Sequence, residues 1–318
     1  MKPGSPIKVV YIGGYSRSGS TLLDCMLGQL PGFFSTGELA YVWTHGLQQN
    51  RLCGCGERFR DCPFWSDVGE RAFGGWDSVD PNAMLRLDRA VNRHRFVPLL
   101  IAPRLWPPFA RRLERYADVL ARLYGAIRSV SGSEVIVDST IDPAYAFVLR
   151  RVPGLDLQIV HLTRDSRGTA FSWTRKQHRT DVVDSVEYQR RFHPGATAVR
   201  WVLYHLLFHA LDAMRRRPSL FARYERVVYA PESEILRIAT HIAGPEPARE
   251  VSFLSSDAVR LKENHTVAGS LVRLRQGTVP LCLDDEWRTA MRAADRRIAT
   301  VLSWPLLRKY GYLGNPAK

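Results

Sequence analysis

The chain has 318 residues, of which 45% are hydrophobic, 10% aromatic and 24% charged, and this composition excludes a disordered chain. The 45 Lys and Arg residues outnumber the 31 Asp and Glu residues, and the resulting formal net charge of +14 favours an acidic ligand. The basic residues are scattered and no nucleic-acid-binding motif is present, which disfavours nucleic acid as that ligand.

Strand and helix patterns alternate along the chain. An almost entirely apolar run over residues 7–12 predicts a strand buried on both faces, and a glycine-rich loop then leads into a helix that begins near Thr21 and ends before Pro31. The further predicted elements are strands at 135–138, 157–162 and 220–224, and helices at about 143–151, 166–177, 196–217 and 231–243. This alternation predicts an α/β fold with a central parallel β-sheet flanked by helices on both faces.

Three segments stand apart from the alternating pattern. Apolar residues at three- and four-residue spacing predict helices over 83–130, as a helical insertion, and over 284–310. Residues 250–283 are irregular and basic, and we expect them to form a lid. Because no repeat or flexible linker divides the chain, residues 1–318 are predicted to form a single domain.

The loop after the first predicted strand reads GGYSRSGST over residues 13–21. A strand that feeds such a loop into a helix directs backbone N–H groups and the positive end of the helix at one point, which suits a phosphate-type anion. Gly19 lets the backbone approach the anion, and Ser18, Ser20 and Thr21 add hydroxyl groups. Arg17 supplies a cation beside them.

Two other classes of protein use such loops. A P-loop nucleotide kinase requires G-x-x-x-x-G-K-[ST], and here Ser20 stands where its lysine would be. The dinucleotide pattern G-x-G-x-x-G is absent. The kinase, and a basic nucleotide- or nucleic-acid-binding module without turnover, stay as alternatives.

The loop residues Arg17 to Thr21 resemble the R-S-G-S-[ST] loop of sulfotransferases that use 3'-phosphoadenosine 5'-phosphosulfate (PAPS), in their bacterial and carbohydrate-acting members. Arg164 and Ser172, eight residues apart, resemble the pair that grips the 3'-phosphate of the donor in this family. Residues 137–140, VDST, resemble a further family motif, although the lysine that often follows is Ile141 here. The resemblance implies a P-loop-type fold and sulfuryl transfer from PAPS to a hydroxyl group of an unidentified glycan, lipid or small-molecule acceptor.

A second stretch that resembles the family lies near the C-terminus. Residues 265–277 are similar to the segment that closes on the 3'-phosphate through a basic residue and a glycine. Gln276 stands where many relatives have lysine, so the resemblance implies that Arg273 and Arg275, with Gly277, contact the phosphate.

Sulfuryl transfer to an alcohol needs charge stabilisation and a base for the hydroxyl. We expect Arg17 to stabilise charge and not to donate a proton, because arginine hardly ever deprotonates. Glu38 is the expected base and acceptor contact, since a partly buried carboxylate has its pKa raised toward the useful range, and related enzymes use a glutamate from this region. A capping or ion-pairing role is the alternative for Glu38, and His45 is the substitute base on the acceptor side.

Cys53, Cys55 and Cys62 form a C-x-C pair with a third cysteine beyond it. Three thiolates need a fourth ligand and the spacing is not C-x-x-C, so we expect no metal, and a disulfide or a packed turn is favoured. His265 is interpreted either as a ligand contact or as a solvated loop residue.

Compartment and assembly are less specified. We expect a cytoplasmic protein, because the N-terminus lacks the apolar core of a signal peptide and no apolar run is long enough to span a membrane, with peripheral membrane contact left open. The five cysteines are an odd number and cannot all pair within one chain, which fits a reducing compartment. The sequence does not specify an oligomeric state.

Overall fold

The computed structural model describes residues 5–183, 186–245 and 251–314. Residue 250 of the predicted lid, and both ends of the predicted 1–318 domain, lie outside the described residues. Within these ranges no helix is both long and apolar enough to cross a membrane.

The centre of the fold is a parallel sheet of five strands. The strands of the described ranges are β1 (Ile7–Gly14), β2 (Phe33–Ser35), β3 (Val135–Ile141), β4 (Leu155–Thr163), β5 (His178–Arg179), β6 (Glu187–Tyr188), β7 (Leu220–Arg223), β8 (Ala258–Leu261) and β9 (Gly277–Pro280). The central sheet has the order β2-β3-β1-β4-β7, and all of its neighbouring strands run parallel. Two small antiparallel hairpins, β5–β6 and β8–β9, lie outside it.

Helices connect the strands. Those of the described ranges are α1 (Ser20–Leu27), α2 (Pro63–Phe73), α3 (Pro81–Val91), α4 (Val97–Ile101), α5 (Pro107–Ser131), α6 (Pro143–Leu149), α7 (Ser166–Ser172), α8 (Pro194–Ala213), α9 (Tyr224–Tyr229), α10 (Pro231–Ala243), α11 (Trp287–Ala290) and α12 (Ala293–Lys309). The segment predicted as a helical insertion thus contains α3, α4 and α5.

The central strand shows why helices cover both faces of the sheet. Side chains of β1 alternate between two cores: Val9 and Tyr11 pack with α2, α5 and α6, whereas Val10 and Ile12 pack with α1 and α10. A strand that is apolar on both faces needs helices on both sides. The predicted α/β fold with a flanked parallel sheet is therefore confirmed.

The predicted elements differ from the structure at their ends and in the short pieces. The helix predicted over 166–177 ends at Ser172, and the chain then turns into the β5–β6 hairpin. The strand β2 and the helix α2 were not predicted from the sequence. The three residues of β2 are too few to show an alternation of apolar and polar residues, and α2 follows the cysteine-rich turn directly.

Strand order positions the site. Because β1 lies between β3 and β4, the carboxyl ends of all three strands meet at one edge, where α/β proteins usually bind ligands. Gly13 pairs with Ile141 of β3, and Gly14 pairs with Leu162 of β4. The glycine-rich loop thus leaves the sheet between the β3 and β4 ends.

Gly14 allows this close pairing. A Cβ at Gly14 would lie 2.2 Å from the backbone oxygen of Leu162, which cannot move without separating the strands. We expect Gly14→Ala to lower the free energy of unfolding by about 1–3 kcal/mol or more in urea titration. Gly125→Ala in α5 is the matched control, because no atom lies within 4 Å of its added Cβ, and it should stabilise the protein by up to about 1 kcal/mol. Equal effects of the two variants would contradict the close approach.

Candidate functional site

The glycine-rich loop presents an uncapped helix end. Arg17 and Gly19 adopt positive φ angles of 73° and 80°, so the chain turns sharply before α1 begins at Ser20. Gly19 is the N-cap residue of α1, no side chain caps this end, and no acidic residue occupies the first turn. The first intrahelical hydrogen bond runs from the N–H of Leu23 to the carbonyl of Gly19, at 3.0 Å. The N–H groups that precede Leu23 have no partner within the helix, so they can donate to an anion at this positive end of the helix dipole.

Only glycine fits at position 19. An added Cβ would lie 2.6 Å from the Tyr224 ring, in addition to the strain of the positive φ angle. The guanidinium group of Arg164 lies 4.6 Å from the centre of the same ring. Tyr224 therefore packs the loop and Arg164 together.

Among the residues that the structure describes, Arg17 donates hydrogen bonds to neutral groups and not to a carboxylate. Its Nη1 donates to the amide oxygens of Gln177 and Gln189, at 2.8 and 2.9 Å, and its Nη2 donates to the carbonyl of Ser172 at 3.3 Å. Its Nε is buried and has no hydrogen-bond partner among the described residues. Burial, and next the guanidinium of Arg164, lower the pKa of Arg17 to about 10, so it stays protonated at neutral pH.

Arg164 joins the two predicted anion-binding regions. It follows β4, is 5% exposed, and its Nη1 donates to the carbonyl oxygen of Arg17 at 2.8 Å. Arg17 and Arg164 are 147 positions apart in the chain. Ser172, at the end of α7, lies against the same loop, because its carbonyl accepts from Arg17.

Asp284 is the residue of this region that the sequence analysis missed. Its carboxylate pairs with Arg164 at 3.0 Å and with Arg175 at 3.0 Å, and its carbonyl accepts from Arg164 at 2.7 Å. Burial alone would raise the pKa of Asp284, and the two guanidinium groups overcome that effect and hold the pKa below its usual range. No local pattern marks this residue, since it belongs to an irregular acidic stretch near α11.

Glu38 lies at the far side of the loop, beyond β2. Its N–H donates to the carbonyl of Ala268 at 3.1 Å, and its carboxylate accepts no hydrogen bond from the residues that the structure describes. Burial raises the pKa of Glu38 to about 7, against the lowering effect of Arg179 and Arg273. A carboxyl group with this pKa exchanges protons near neutral pH.

The β5–β6 hairpin connects the surroundings of Arg17 and Glu38. Gln177 and Gln189 flank the hairpin, bond to each other through their backbones at 2.8 Å, and hold Arg17. Arg179, within β5, is one of the two cations that act on Glu38. The hairpin region thus holds Arg17 through two amides and supplies, in Arg179, a charge that lowers the pKa of Glu38. Residues 184–185, between its strands, lie outside the described residues.

His45 is poorly suited to accept a proton. It lies in a π-helical turn, Val42–Gln48, and its ring stacks on Tyr41 with the centroids 4.8 Å apart. Burial, and next the charge of Arg51, lower the pKa of His45 to about 3. The neutral imidazole is a hydrogen-bonding group at pH 7, and its role as substitute base stays a prediction.

The predicted C-terminal phosphate contacts are placed unequally. Arg275 is exposed and Gly277 begins β9 with a φ angle of 81°. Arg273, in contrast, is fully buried, donates to the carbonyls of Thr266 and Leu52 at 3.1 and 2.8 Å, and lies 3.6 Å from the carboxylate of Asp181. Both terminal nitrogens of Arg273 donate inside the protein, and its Nε is buried without a hydrogen-bond partner among the described residues. A phosphate contact through this fully buried side chain stays a prediction that the geometry does not favour.

The C-terminal segment also contacts the loop directly. The N–H of Ser270 donates to the Thr21 hydroxyl at 3.0 Å, two residues after the Ala268 carbonyl that bonds to Glu38. The side chains of Ser18 and Ser20 are buried beside it, and Ser18 donates to the carbonyl of Tyr15. A continuous series of hydrogen bonds therefore links Arg164, the loop, the C-terminal segment and the backbone of Glu38.

The fold has solved counterparts. The chain is similar to the sulfotransferase domain from the Synechococcus PCC 7002 olefin synthase, with a TM-score of 0.52, 17% sequence identity and coverage of 96% of each chain. It also matches the sulfotransferase domain from the curacin biosynthetic pathway, with a TM-score of 0.48, 16% identity and coverage of 94% of this chain and 98% of that chain. For sulfotransferase STF1 from Mycobacterium tuberculosis H37Rv the TM-score is 0.42, the identity 15% and the coverage 78% and 71%.

No protein-family model matches the chain, and no curated protein matches it. The similarity to the olefin synthase domain extends over nearly the whole chain and establishes the fold. The chemistry must be argued from the side chains of the site.

The raised pKa of Glu38 should be visible in the stability of the protein without any ligand. Since the pKa rises from an ordinary 4.5 to about 7 on folding, the contribution of Glu38 to stability is fully present below the unfolded pKa and lost as the pH rises through 7. Glu38→Gln cannot ionise, so it should gain on the order of 2 kcal/mol relative to the wild type between about pH 5 and pH 8.

Urea unfolding at several pH values measures this difference. The matched control is Glu114→Gln, an exposed glutamate in α5, which should follow the wild-type pH dependence. If Glu38→Gln also follows it, the Glu38 carboxyl does not titrate near neutral pH.

Proposed function

We propose that the protein is a sulfotransferase that moves a sulfuryl group from PAPS to a hydroxyl group of an acceptor. The observation that carries the proposal is the contact between the two predicted anion-binding regions, in which Arg164 donates to the Arg17 carbonyl at 2.8 Å. A donor with a 5'-phosphosulfate and a 3'-phosphate requires two such regions at one edge of the sheet. The likeness of the fold to a sulfotransferase domain agrees with this assignment.

The residues present fit such a donor. The uncapped end of α1 with Ser18, Gly19, Ser20 and Thr21 offers backbone N–H groups to the 5'-phosphosulfate, and Ser20 and Thr21 also offer their hydroxyl groups, whereas the Ser18 hydroxyl already donates to Tyr15. The unpartnered Nε of Arg17 offers a further donor. For the 3'-phosphate, Arg164 and Ser172 are the expected contacts, supplemented by Arg275 and Gly277 from the C-terminal segment.

Each residue then has a chemical task. PAPS, when bound, supplies an activated sulfuryl group next to a good leaving group. Arg17 stabilises the negative charge on the leaving side, because it is held rigidly by neutral amide oxygens and keeps its full positive charge. Glu38 takes the proton of the acceptor hydroxyl, for which its pKa of about 7 is well matched at neutral pH.

The alternatives have distinct requirements. A P-loop kinase needs a lysine at the position of Ser20, and the cation of this loop is instead Arg17. A nucleic-acid-binding module would have no use for a proton-exchanging carboxyl group beside the anion site. The acceptor remains open among glycans, lipids and small molecules with a hydroxyl group.

Calorimetry with PAPS and ATP tests the donor. The wild type should bind PAPS and adenosine 3',5'-bisphosphate, and binding of ATP alone would overturn the proposal. Arg164→Ala should weaken adenosine 3',5'-bisphosphate about 10- to 100-fold, since a charge-assisted hydrogen bond contributes about 1.5–3 kcal/mol. The same variant should affect adenosine 5'-phosphosulfate, which lacks the 3'-phosphate, much less.

Controls separate binding from transfer. Arg111→Ala, an exposed arginine of α5, should leave both affinities unchanged. Glu38→Gln should bind PAPS normally yet lose transfer of labelled sulfate to acceptors in a cell extract. Equal losses of both nucleotides in Arg164→Ala would remove its assignment to the 3'-phosphate, and salt-sensitive nucleic-acid binding without transfer would favour the non-catalytic alternative.

Asp284 should compete with the donor for Arg164. Its carboxylate pairs with Arg164 and Arg175, so Asp284→Asn removes a negative charge from the anion site while leaving the backbone contact in place. We expect this variant to bind adenosine 3',5'-bisphosphate about three- to tenfold more tightly in calorimetry at low salt. Asp285→Asn is the exposed neighbouring control, and an affinity in Asp284→Asn equal to that of this control would show that the ion pair does not compete.

A further inference from the structure

Four potential metal ligands converge outside the proposed active site. They are Cys53, Cys55, Cys62 and His265, and one ligand atom from each lies within 4.8 Å of all the others. The Sγ atoms of Cys55 and Cys62 are 3.7 Å apart, and the Nδ1 of His265 lies 3.4 Å from the Sγ of Cys62 and 3.9 Å from that of Cys53. His265 reaches this group from 203 positions further along the chain.

The three separations of 3.4, 3.7 and 3.9 Å are close to the edges of a tetrahedron around one ion. Zinc bonds of about 2.3 Å to sulfur and about 2.0 Å to nitrogen give edges of about 3.8 Å between two sulfurs and about 3.5 Å between sulfur and nitrogen. A disulfide needs an S–S distance of about 2.0 Å, and Cys53, Cys55 and Cys62 are all free thiols. The spacing thus fits a shared ion better than a covalent pair.

We propose that Cys53, Cys55, Cys62 and His265 bind one zinc ion. Three thiolates and an imidazole in tetrahedral array select zinc among the common metals, and four protein ligands leave no open position, which defines a structural site. An iron–sulfur cluster would spread its ligands around two or more iron atoms and separate them further. The expectation of no metal rested on the lack of a fourth ligand, which His265 supplies, and on the absence of C-x-x-C spacing, which the convergence of the four ligand atoms outweighs.

Backbone hydrogen bonds and two glycines hold the turn that contains Cys53 and Cys55 in a compact form. The N–H of Cys53 donates to the carbonyl of Glu57 at 2.7 Å, and the N–H of Gly56 donates back to the carbonyl of Cys53 at 2.9 Å. Gly56 has a φ angle of 95°, which favours glycine. At Gly54 an added Cβ would lie 1.9 Å from the side-chain oxygen of Asn264, so the turn and the histidine segment touch directly.

The imidazole of His265 is oriented by packing. Its ring stacks on Phe64 with the centroids 5.0 Å apart and the planes 12° from parallel. The indole N–H of Trp65 donates to the backbone carbonyl of His265 at 2.9 Å. Both contacts come from α2, whose N-cap residue is Cys62, so the same helix end holds one thiol and the ring.

The ion would fasten the C-terminal segment to the core beside Glu38. The N–H of Gly54 donates to the Thr266 carbonyl at 3.0 Å, and that carbonyl also accepts from the buried Arg273. Two residues on, the Ala268 carbonyl accepts from the N–H of Glu38. Zinc at the cysteine turn therefore fixes the segment that positions the proposed base, without itself touching the reacting groups.

Metal analysis of the purified full-length protein tests the site. The protein is expressed in zinc-supplemented medium and purified without chelators or a histidine tag. We then expect about one zinc ion per chain by inductively coupled plasma mass spectrometry. Cobalt(II) added to the chelator-treated protein should give the strong visible absorption of a tetrahedral thiolate site. Both measurements are independent of PAPS and of any transfer activity.

Variants locate the ion. Cys55→Ser and His265→Ala should each lower the affinity for zinc by more than about 100-fold, measured in competition with a chromogenic chelator. Even the loss of a hydrogen bond to a metal ligand lowers metal affinity by about 10- to 100-fold. Cys282→Ser is the matched control, because Cys282 is an exposed free thiol outside the cluster, and it should keep its zinc. Wild-type protein without zinc and without the cobalt spectrum, or with a disulfide among these cysteines by mass spectrometry, would overturn the proposal, as would an unchanged zinc affinity in His265→Ala.

Discussion

Positive charge held at the carboxyl edge of the sheet is the constraint from which the rest of the site follows. Arg164 lies against the backbone of Arg17 although both side chains carry the same charge, and the charge of Arg164 lowers the pKa of Arg17. The amide oxygens of Gln177 and Gln189 accept from Arg17, and the carboxylate of Asp284 faces Arg164, so these contacts stabilise the two neighbouring cations. The fold thus keeps an unbalanced cation in place, which is the property that an anion-binding site requires.

Local sequence patterns predicted those parts of the site that lie within one continuous stretch of the chain. The order of strand, glycine-rich loop and helix was predictable because each element has its own residue signature, and Arg164 with Ser172 follows the end of a recognisable strand. These regions meet because β1 and β4 are neighbours in the sheet. Right-handed parallel connections make such neighbours common, but no single residue in the sequence predicts this pairing.

The missed parts are those that depend on partners far apart in the chain. Asp284 reaches Arg164 across 120 positions, and His265 reaches Cys62 across 203. Neither residue has a neighbour in sequence that would mark it, and the cysteine motif was interpreted without its fourth member. Likewise, nothing near Arg273 in sequence shows that it is fully buried beside Asp181.

The late position of residues 264–284 has a consequence for synthesis on the ribosome. All five strands of the central sheet end by Arg223, so the sheet can assemble while the last third of the protein is still being made. The Ala268 carbonyl that bonds to Glu38, and Asp284 against Arg164, arrive only afterwards. A nascent chain could therefore fold the central sheet before the segment that contacts Glu38 and Arg164 has been synthesised.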